Sequence, residues 1–530
     1  MVLRRGPRPA VEQRGQTTGD PNGCPFAGDL IRAVGGRPLR SRPRRSRLDL
    51  APQRPQQDTM RHISTRGDAP ALSFTDAMLA GLARDGGLYV PESWPQLGQA
   101  EIAAFAGRPY AEVAEAVLSR LTGGEFEPAT LRAMVEAAYA TFRHPAVCPL
   151  VQIGDNLFVQ ELFHGPTLAF KDVAMQLLGR MMDGALAARG RRATIVGATS
   201  GDTGSAAVSA FEGSERVDVF ILYPHGRVSE VQRRQMTSVA APNVHALAVE
   251  GSFDDCQAIV KALFGRLPFR DEMQLSGVNS INWARIAAQA VYYVTAAVAL
   301  GAPHRPVSFS VPTGNFGDVL AGWVAKRMGL PVDRLLVATN ANDILPRTLA
   351  SGRYEVAGVV PTTSPSMDIQ ISSNFERLLF EAHGRDAASV RRLMSGLAQS
   401  GSFTVGHEPL AAIRQDIDGR AVSEADVEGE IRRTWREAGY LLDPHTAIAV
   451  SAARARLAAD PGVPMVALAT AHPAKFPDAV ERATGLRPAL PPHLADLLTR
   501  PERLSVLPND VTAVESFIRR EARAVRDPAA

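Results

Sequence analysis

The sequence predicts an α/β protein with mainly parallel strands and with helices on both faces of its sheets. From about residue 149 onward, apolar runs of strand length are each followed by a turn and then by a helical stretch. The runs are almost continuously apolar, as expected for parallel strands that are buried on both faces. With 45% hydrophobic and 21% charged residues, the composition is that of an ordinary globular protein with a large core.

The first 59 residues differ in composition from the rest of the chain. They contain twelve arginines, no lysine and five acidic residues, a net charge of +7 in a chain whose total is +3. Because they also lack apolar periodicity, we expect a disordered leader, or a start codon assigned too early with Met60 as the real beginning. A transit peptide and a basic tail that binds nucleic acid are the alternatives. The remainder is mildly acidic, so we expect no nucleic-acid partner for it.

Residues 60–148 are predicted to form a mainly helical N-terminal domain. Apolar side chains recur at three-to-four spacing in residues 74–83, 110–121 and 130–142. The string DGGLYVP at residues 85–91 predicts a turn and a short extended piece between the first two helices.

Further along, the predicted strands are residues 194–197, 217–223, 244–249, 307–311, 335–339 and 465–469. The helices predicted after the first three of them are residues 205–212, 228–239 and 254–264. We expect a large domain of residues 149–190 and 276–500, a smaller mobile domain of residues 191–275, and a helical C-terminal tail of residues 501–530.

The cysteine content and the apolar runs limit the class of protein. Cys24, Cys148 and Cys256 are widely separated and have no metal-ligand spacing, so we expect neither a disulfide framework nor a metal site. This usage suits a reducing compartment, and we expect a cytoplasmic protein. The longest apolar helical run, residues 287–300, is too short to span a bilayer, so no membrane partner is expected.

Lys171 is the candidate catalytic residue. It lies between the turn at Gly165 and Pro166 and an apolar helical stretch at residues 173–182. At a helix N-terminus, the dipole and partial burial both favour the neutral amine, which is the form that makes a Schiff base with a carbonyl-bearing cofactor. The alternative is an ammonium that reaches solvent beside Asp172.

Three polar turns follow predicted strands and so are expected at the ligand-binding edge of a parallel sheet. The turn SGDTG at residues 200–204 can hold a carboxylate at a helix N-terminus. Thr199, Ser200 and Thr203, in and beside this turn, are therefore candidate substrate contacts. A plain helix cap by Asp202 or Thr203 is the alternative.

The second turn contains Gly314, Asn315, Phe316, Gly317 and Asp318. Successive amides around two glycines form a nest of donors that suits a phosphate dianion. The alternative is that Asp318 caps the following helix.

The third turn begins with Thr470, whose hydroxyl can bond a ring nitrogen; a plain strand end is the alternative. Two further polar clusters, residues 279–285 and 366–377, combine amides, hydroxyls and a guanidinium. Each is either a capped loop or a grip for a doubly charged phosphate.

These parts together resemble the tryptophan-synthase-like, fold-type II group of pyridoxal-phosphate enzymes, and within it the threonine synthase family of the longer bacterial and fungal kind. The resemblance covers residues 60 to about 490; the leader lies outside it. The strings that carry it are residues 62–67, 85–91, 163–172, 197–204, 279–285, 314–318, 372–380 and 470–476.

The resemblance implies that pyridoxal 5'-phosphate is held by Lys171. It also implies that residues 314–318 cradle the cofactor phosphate and that Thr470 meets the pyridine nitrogen. The resemblance further implies that Asp202 contacts the cofactor. The wider group has an asparagine at this position, and threonine synthases of the longer kind have an aspartate. A carboxylate beside the anionic 3-oxygen of the cofactor would repel it unless a proton is shared.

The implied reaction converts O-phospho-L-homoserine and water to L-threonine and phosphate, by γ-elimination and β-addition of water. Arg285 is the first candidate for the substrate phosphate, followed by Ser280, Asn282 and Lys261. We expect a monomer or a homodimer. The alternatives are another fold-type II lyase or dehydratase, a β-replacing synthase, and a non-catalytic relative that binds phosphorylated ligands.

Overall fold

The computed structural model describes residues 60–523. The predicted leader at residues 1–59 and the end of the predicted tail at residues 524–530 lie outside the described residues. The strands are β1 His62–Ser64, β2 Tyr89–Pro91, β3 Leu150–Gly154, β4 Leu157–Glu161, β5 Ala193–Ala198, β6 Val217–Pro224, β7 Val244–Glu250, β8 Leu275–Ser276, β9 Val307–Pro312, β10 Val332–Thr339, β11 Arg353–Glu355, β12 Ser402–Thr404, β13 Ile417–Ala421, β14 Met465–Ala469 and β15 Ser505–Pro508.

The α-helices are α1 Phe74–Ala80, α2 Gln99–Ala104, α3 Tyr110–Leu121, α4 Pro128–Tyr139, α5 Lys171–Ala188, α6 Asp202–Phe211, α7 Glu230–Thr237, α8 Phe253–Gly265, α9 Leu267–Glu272, α10 Trp283–Ala299, α11 Gly317–Arg327, α12 Ile344–Ser351, α13 Phe375–Ala382, α14 Ala387–Ser400, α15 His407–Asp416, α16 Glu424–Ala438, α17 Pro444–Ala459, α18 Pro477–Thr484 and α19 Val511–Glu521. Among the helices within residues 60–523, none combines the length and the apolar character that a bilayer crossing requires.

A six-stranded sheet is the larger of the two main sheets. Its order is β13-β10-β9-β14-β4-β3, and every neighbouring pair is parallel except the edge pair of β3 and β4. Alternate residues of β14 enter different cores. Val466 and Leu468 belong to the largest hydrophobic cluster, whereas Met465, Ala467 and Ala469 belong to a second cluster together with residues of α17. The sheet is therefore covered on both faces.

The second main sheet has five strands in the order β15-β7-β6-β5-β8, all parallel. Along β6, Val219, Ile221 and Tyr223 join the same largest cluster, while Phe220 and Leu222 pack in a third cluster with α8 and α19. One continuous core therefore contacts both sheets. The predicted α/β class with mainly parallel sheets and helices on both faces is confirmed.

The segment before the sheets is mainly helical. The three predicted helices correspond to α1, α3 and α4, and α2 was not predicted. The predicted extended piece is β2, which pairs antiparallel with β1.

The predicted helical tail contains a strand as well as a helix. Strand β15 extends the five-stranded sheet along β7, and α19 buries Val514 and Ile518 in the third cluster. The side chain of Arg523 donates to the buried carboxylate of Asp218 at 2.6 Å. The C-terminal segment is thus an integral part of the smaller sheet and its core.

We expect Ile518→Ala to destabilise the protein, because Ile518 is 0% exposed within this core. Deletion of a buried aliphatic side chain costs about 2–5 kcal/mol of unfolding free energy. Urea unfolding followed by circular dichroism measures the change. Val506→Ala, at a strand position that is 47% exposed, is the control and should unfold at nearly the native urea concentration. Equal midpoints for the two variants would contradict the packing of α19.

Candidate active site

The three predicted turns and Lys171 line one cavity of about 620 Å³. The turns follow β5, β9 and β14, so they lie beyond the carboxyl ends of strands from both main sheets. This is where parallel sheets bind ligands. Two further parts of the lining come from the residues before and at the start of α10 and from residues 365–371.

Lys171 is the first residue of α5 and is buried. Its Nζ atom lies 3.5 Å from Oδ2 of Asp202. Burial lowers the pKa of this amine, Asp202 raises it, and the cations Arg285 and Lys475 lower it further, with a net decrease from the ordinary value. The alternative of an ammonium in solvent beside Asp172 is wrong. The carboxylate of Asp172 instead accepts from the backbone N–H and the hydroxyl of Thr167, each at 2.7 Å.

Asp202 is the first residue of α6, and its side chain makes no capping hydrogen bond. The capping alternative for Asp202 is therefore wrong. Its Oδ1 atom accepts from Nζ of Lys475 and from Nε2 of Gln232, both at 2.8 Å. Burial raises the pKa of Asp202, but Lys475 and Lys171 outweigh this effect and hold the pKa well below the usual range.

Gly201 allows this arrangement. Its φ of 141° is a conformation that residues with a side chain rarely adopt, and a Cβ atom there would lie 2.4 Å from Cδ of Gln232. A glycine therefore leaves the space through which Gln232 reaches Asp202. The hydroxyl oxygen of Thr199 accepts from the N–H groups of Gly201 and Gly204, both at 2.9 Å, so Thr199 shapes the loop as well as lining the cavity. Ser200 and Thr203, at the same loop, also line the cavity.

The loop at Gly314–Gly317 presents unpaired amides. The carbonyl of Gly314 accepts from Oγ of Ser372 at 2.8 Å and that of Asn315 from the backbone N–H of Asn374 at 3.1 Å. Within the described part of the chain, the N–H groups of residues 314–317 have no hydrogen-bond acceptor. Four free donors at the start of α11 form the nest that an anionic phosphate requires.

Asp318 does not cap α11, so that alternative is wrong. Its carboxylate accepts from the hydroxyls of Tyr292 and Tyr293. Burial raises the pKa of Asp318 to about 6, although the two hydroxyls act in the opposite direction.

Thr470 directly follows β14 and lines the cavity. Its carbonyl accepts from the N–H of Phe170 at 2.8 Å, and the N–H of His472 donates to the carbonyl of Leu168 at 3.0 Å. These bonds join the end of β14 to the loop that carries Lys171. In residues 60–523 the hydroxyl of Thr470 has no partner, so it is free to bond a ligand.

Arg285 is a buried cation that has no counter-ion among residues 60–523. Its Nη1 atom donates to the carbonyl of Val278 at 3.2 Å, and its Nε atom has no partner in the described part of the chain. No carboxylate of residues 60–523 lies within ion-pair distance of it. Burial lowers its pKa to about 10. A buried guanidinium without a carboxylate is costly, so the geometry favours an anionic ligand at this place.

The other predicted anion contacts divide into two groups. Ser280 and Lys261 line the cavity with Arg285. Asn282 does not, because its amide is buried and donates to the carbonyls of Met78 and Gly277 while its oxygen accepts from Ala284 at the start of α10. Asn282 therefore fixes the beginning of α10, and its predicted substrate contact is not supported by this geometry.

Three family models match the chain. The model described as threonine synthase N terminus matches residues 61–139, that of pyridoxal-phosphate dependent enzymes matches residues 149–393, and that of the threonine synthase C-terminal region matches residues 446–518. The chain is 54% identical to the threonine synthase of Pseudomonas aeruginosa over 460 residues, which covers 87% of this chain and 98% of that one. The chain belongs to the threonine synthase family.

Solved structures of threonine synthases agree with this assignment. The pyridoxal-phosphate-bound enzyme of Brucella melitensis is 62% identical and has a TM-score of 0.85, covering 88% of this chain and 100% of that one. The yeast enzyme is 40% identical with a TM-score of 0.83, covering 88% of this chain and 99% of that one. As a member of the threonine synthase family, the chain is a pyridoxal-phosphate-dependent lyase with a fold-type II architecture.

The residues present fit this cofactor of the threonine synthase family. The four unpaired amides at residues 314–317 suit its phosphate, the depressed pKa of Lys171 suits a covalent bond to its carbonyl carbon, and the free hydroxyl of Thr470 suits its ring nitrogen. Sequence reasoning missed Lys475 and Gln232, which hold Asp202. The sequence contains one signal for Lys475. Only four of the 58 Lys and Arg residues are lysine, so each lysine is a candidate for a specific role.

We expect Lys171→Ala to lose the covalent bond to the cofactor and keep its fold. Asp202 retains Lys475 and Gln232 as partners, so the variant leaves no uncompensated carboxylate. Borohydride reduction followed by intact mass should add the cofactor mass to the native chain and not to the variant. Lys261→Ala, which changes another lysine of the cavity, should still be labelled. Labelling of Lys171→Ala would contradict the assignment.

Asp318 is expected to make stability depend on pH. Its folded pKa of about 6 lies above the ordinary value of 3.8, so the folded chain binds this proton more tightly than the unfolded chain. The resulting stabilisation is fully present below pH 3.8 and is lost as the pH rises through 6, a change of about 3 kcal/mol. Asp318→Asn should therefore gain stability relative to the native chain between pH 4 and pH 7.

Urea unfolding of the cofactor-free proteins at the two pH values measures this difference. Asp155→Asn changes an exposed carboxylate in the turn between β3 and β4 and should show no such gain. A constant difference between Asp318→Asn and the native chain at both pH values would refute the prediction.

Proposed function

We propose that this member of the family converts O-phospho-L-homoserine and water to L-threonine and phosphate. The observation that carries the proposal is the buried guanidinium of Arg285, which has no carboxylate partner in the described residues and faces the same cavity as Lys171. The four free amides of residues 314–317 account for one phosphate, that of the cofactor. A second, separate cation in the cavity therefore fits a substrate that carries a phosphate of its own.

The substrate contacts follow from the two remaining parts of the cavity. Arg285, together with Ser280 and Lys261 of the same cavity, would hold the phosphate of the substrate. The loop of residues 199–203, at the N-terminus of α6, would hold the substrate carboxylate. Fixing both anionic ends orients the carbon chain between them and places Cα within reach of Lys171.

When bound, pyridoxal 5'-phosphate supplies an electron sink for the carbanion formed at Cα of the substrate. Lys171 holds the cofactor, and its amine, once displaced by the substrate, takes the Cα proton. After giving up this first proton, the same amine can take the second one, at Cβ, whose removal accompanies loss of phosphate from Cγ. Arg285 stabilises the charge on the departing phosphate. Protons returned to Cγ and Cα and a hydroxyl from water added at Cβ complete L-threonine, and the remaining proton goes to the departing phosphate.

Thr470 directs this chemistry through the protonation state of the ring nitrogen. A hydroxyl donates a hydrogen bond but does not hold a proton on the nitrogen as a carboxylate would. Carbanion stabilisation is then moderate, which favours elimination. A dehydratase or a β-replacing synthase would share Lys171 and Thr470, but it would have no use for Arg285 as a second phosphate contact.

We also propose a domain division, a cellular location and an oligomeric state. They are the smaller domain of residues 191–275 as a mobile unit, the large domain of residues 149–190 and 276–500, the cytoplasmic location, and a monomeric or homodimeric state. The smaller sheet supports a separate smaller unit, and it also includes β15 from the C-terminal segment.

We expect Arg285→Ala to reduce kcat/KM for phosphate release from O-phospho-L-homoserine by about 100-fold or more, the usual effect of removing a buried charged contact. The cofactor should stay bound, because within the described residues Arg285 makes no hydrogen bond with Lys171 or with residues 314–317. Arg132→Ala, an exposed arginine paired with Glu115, is the matched control and should keep the native kcat/KM.

Product analysis distinguishes the alternatives. Phosphate and threonine appear together if the proposal is correct, whereas a dehydratase forms pyruvate from serine or 2-oxobutyrate from threonine. A non-catalytic relative forms none of these products. Native kinetics in Arg285→Ala would remove the basis of the proposal.

A further inference from the structure

Lys475 is a second buried lysine next to the catalytic one. It is the last residue of a short 3₁₀ turn, Pro473–Lys475, that follows Thr470, and it is 0% exposed. Its Nζ atom donates to Oδ1 of Asp202 and to the carbonyl oxygen of Thr167, each at 2.8 Å. Only four lysines occur in the chain, and two of them, Lys171 and Lys475, are bound to the same carboxylate.

The two oxygens of Asp202 have different surroundings. Oδ1 is fully engaged by Lys475 and Gln232, both at 2.8 Å. Oδ2 has only long contacts, at 3.5 Å to Nζ of Lys171 and at 3.5 Å to Oγ of Ser366. Lys475 and Gln232 thus fix the carboxylate so that its less engaged oxygen faces the amine that carries the cofactor.

A carboxylate in this place raises an electrostatic difficulty. The 3-oxygen of pyridoxal phosphate is anionic and lies on the ring carbon next to the one that carries the lysine-bonded aldehyde carbon, so it is close to the end of the Lys171 side chain by covalent geometry. Two anionic oxygens repel each other in a buried site. A cation on the far oxygen of the carboxylate offsets this repulsion.

The same lysine also orders the loop before Lys171. The carbonyl of Thr167 accepts from Lys475 and, at 3.0 Å, from Nε2 of Gln235, while the N–H and hydroxyl of Thr167 donate to Asp172. Asp202 follows the five-stranded sheet, and Lys475 follows the six-stranded one. One ammonium therefore connects both sheets and the loop of the catalytic lysine.

We propose that Lys475 is a positioning residue for the cofactor. It holds Asp202 with Oδ2 towards Lys171, and it supplies the positive charge that allows an aspartate to stand beside the anionic 3-oxygen. The proposal rests on binding of the cofactor at Lys171 and does not depend on the identity of the substrate. The test therefore uses no substrate. A negative result would count against the role of Lys475 and would leave the proposed reaction untouched.

The test is a pH titration of the visible absorbance of the bound cofactor in the holoenzyme. Removal of a nearby positive charge favours the protonated form of the bond between lysine and cofactor. In Lys475→Met the titration midpoint should rise by about 1 pH unit. Lys475→Gln keeps a hydrogen-bond donor without the charge, so it should show the same rise in the midpoint. It should also fold even if Lys475→Met does not. Lys326→Met removes a partly exposed lysine paired with Asp416 and should titrate like the native protein.

Substitution of Asp202 should shift the midpoint in the opposite direction. Asp202→Asn removes a negative charge and should lower the midpoint, and the double variant Asp202→Asn with Lys475→Gln should lie near the native value because both charges are gone. The cavity also contains other titratable or charged groups, which are unchanged in every variant: Arg285, Lys261, Asp254, Asp318, Asp368 and His445. Native midpoints in both Lys475 variants, or shifts of the same sign in Asp202→Asn and Lys475→Gln, would overturn the proposal.

Cofactor affinity provides a second measurement. If the Lys475 variants retain too little cofactor to titrate, the Kd for added pyridoxal phosphate is measured as a function of pH. The proposal expects affinity to recover as the pH falls, because a proton on Asp202 then replaces the lost charge. A loss of affinity that does not change with pH, with a native circular dichroism spectrum, would show a purely steric role and overturn the proposal.

Discussion

The buried carboxylate of Asp202 is the interaction on which the arrangement of the site depends. An isolated carboxylate would be strongly destabilised by burial, and this one is retained because two lysines and a glutamine surround it. Lys171 and Lys475 belong to segments next to the six-stranded sheet, whereas Asp202 and Gln232 belong to helices of the five-stranded one. The need to neutralise one charge therefore fixes the two sheets relative to each other at the cavity.

Other parts of the cavity lining contain unsatisfied groups. The amides of residues 314–317, the hydroxyl of Thr470 and the guanidinium of Arg285 have few or no partners among residues 60–523. Each is held in place by backbone hydrogen bonds or by packing, so none needs to move to receive a ligand. Such preorganisation lowers the stability of the protein without ligand and increases the energy gained when anions bind. Charges and hydrogen-bonding groups are thus paired within the protein around Asp202, whereas those expected to bind ligands are left unpaired among the described residues.

Sequence reasoning succeeded where the signal is local. The predicted strands at residues 217–223 and 307–311 match β6 and β9 to within a residue, because buried parallel strands are continuous apolar runs. It failed where the structure depends on distant contacts. Strand β15 alternates partly buried and exposed residues and exists only because β7 offers an edge, and Lys475 has its partner Asp202 on another sheet. At Asn282 the sequence predicts a substrate contact, because an amide at a helix start has the same local pattern whether it caps the helix or contacts a ligand.

The charges around Lys171 affect both of its proposed roles, which are to bond to the cofactor and to take the Cα proton of the substrate. Burial lowers the pKa of its amine, Asp202 raises it, and Arg285 and Lys475 lower it. Before a substrate arrives, the two cations favour the neutral amine, which is the form that bonds to the cofactor carbonyl. Under the proposed function, the substrate phosphate pairs with Arg285 and cancels one of these cationic contributions. The amine then becomes more basic at the stage at which it must take the Cα proton. In that proposal, occupancy of the phosphate site would increase the basicity of the Lys171 amine electrostatically.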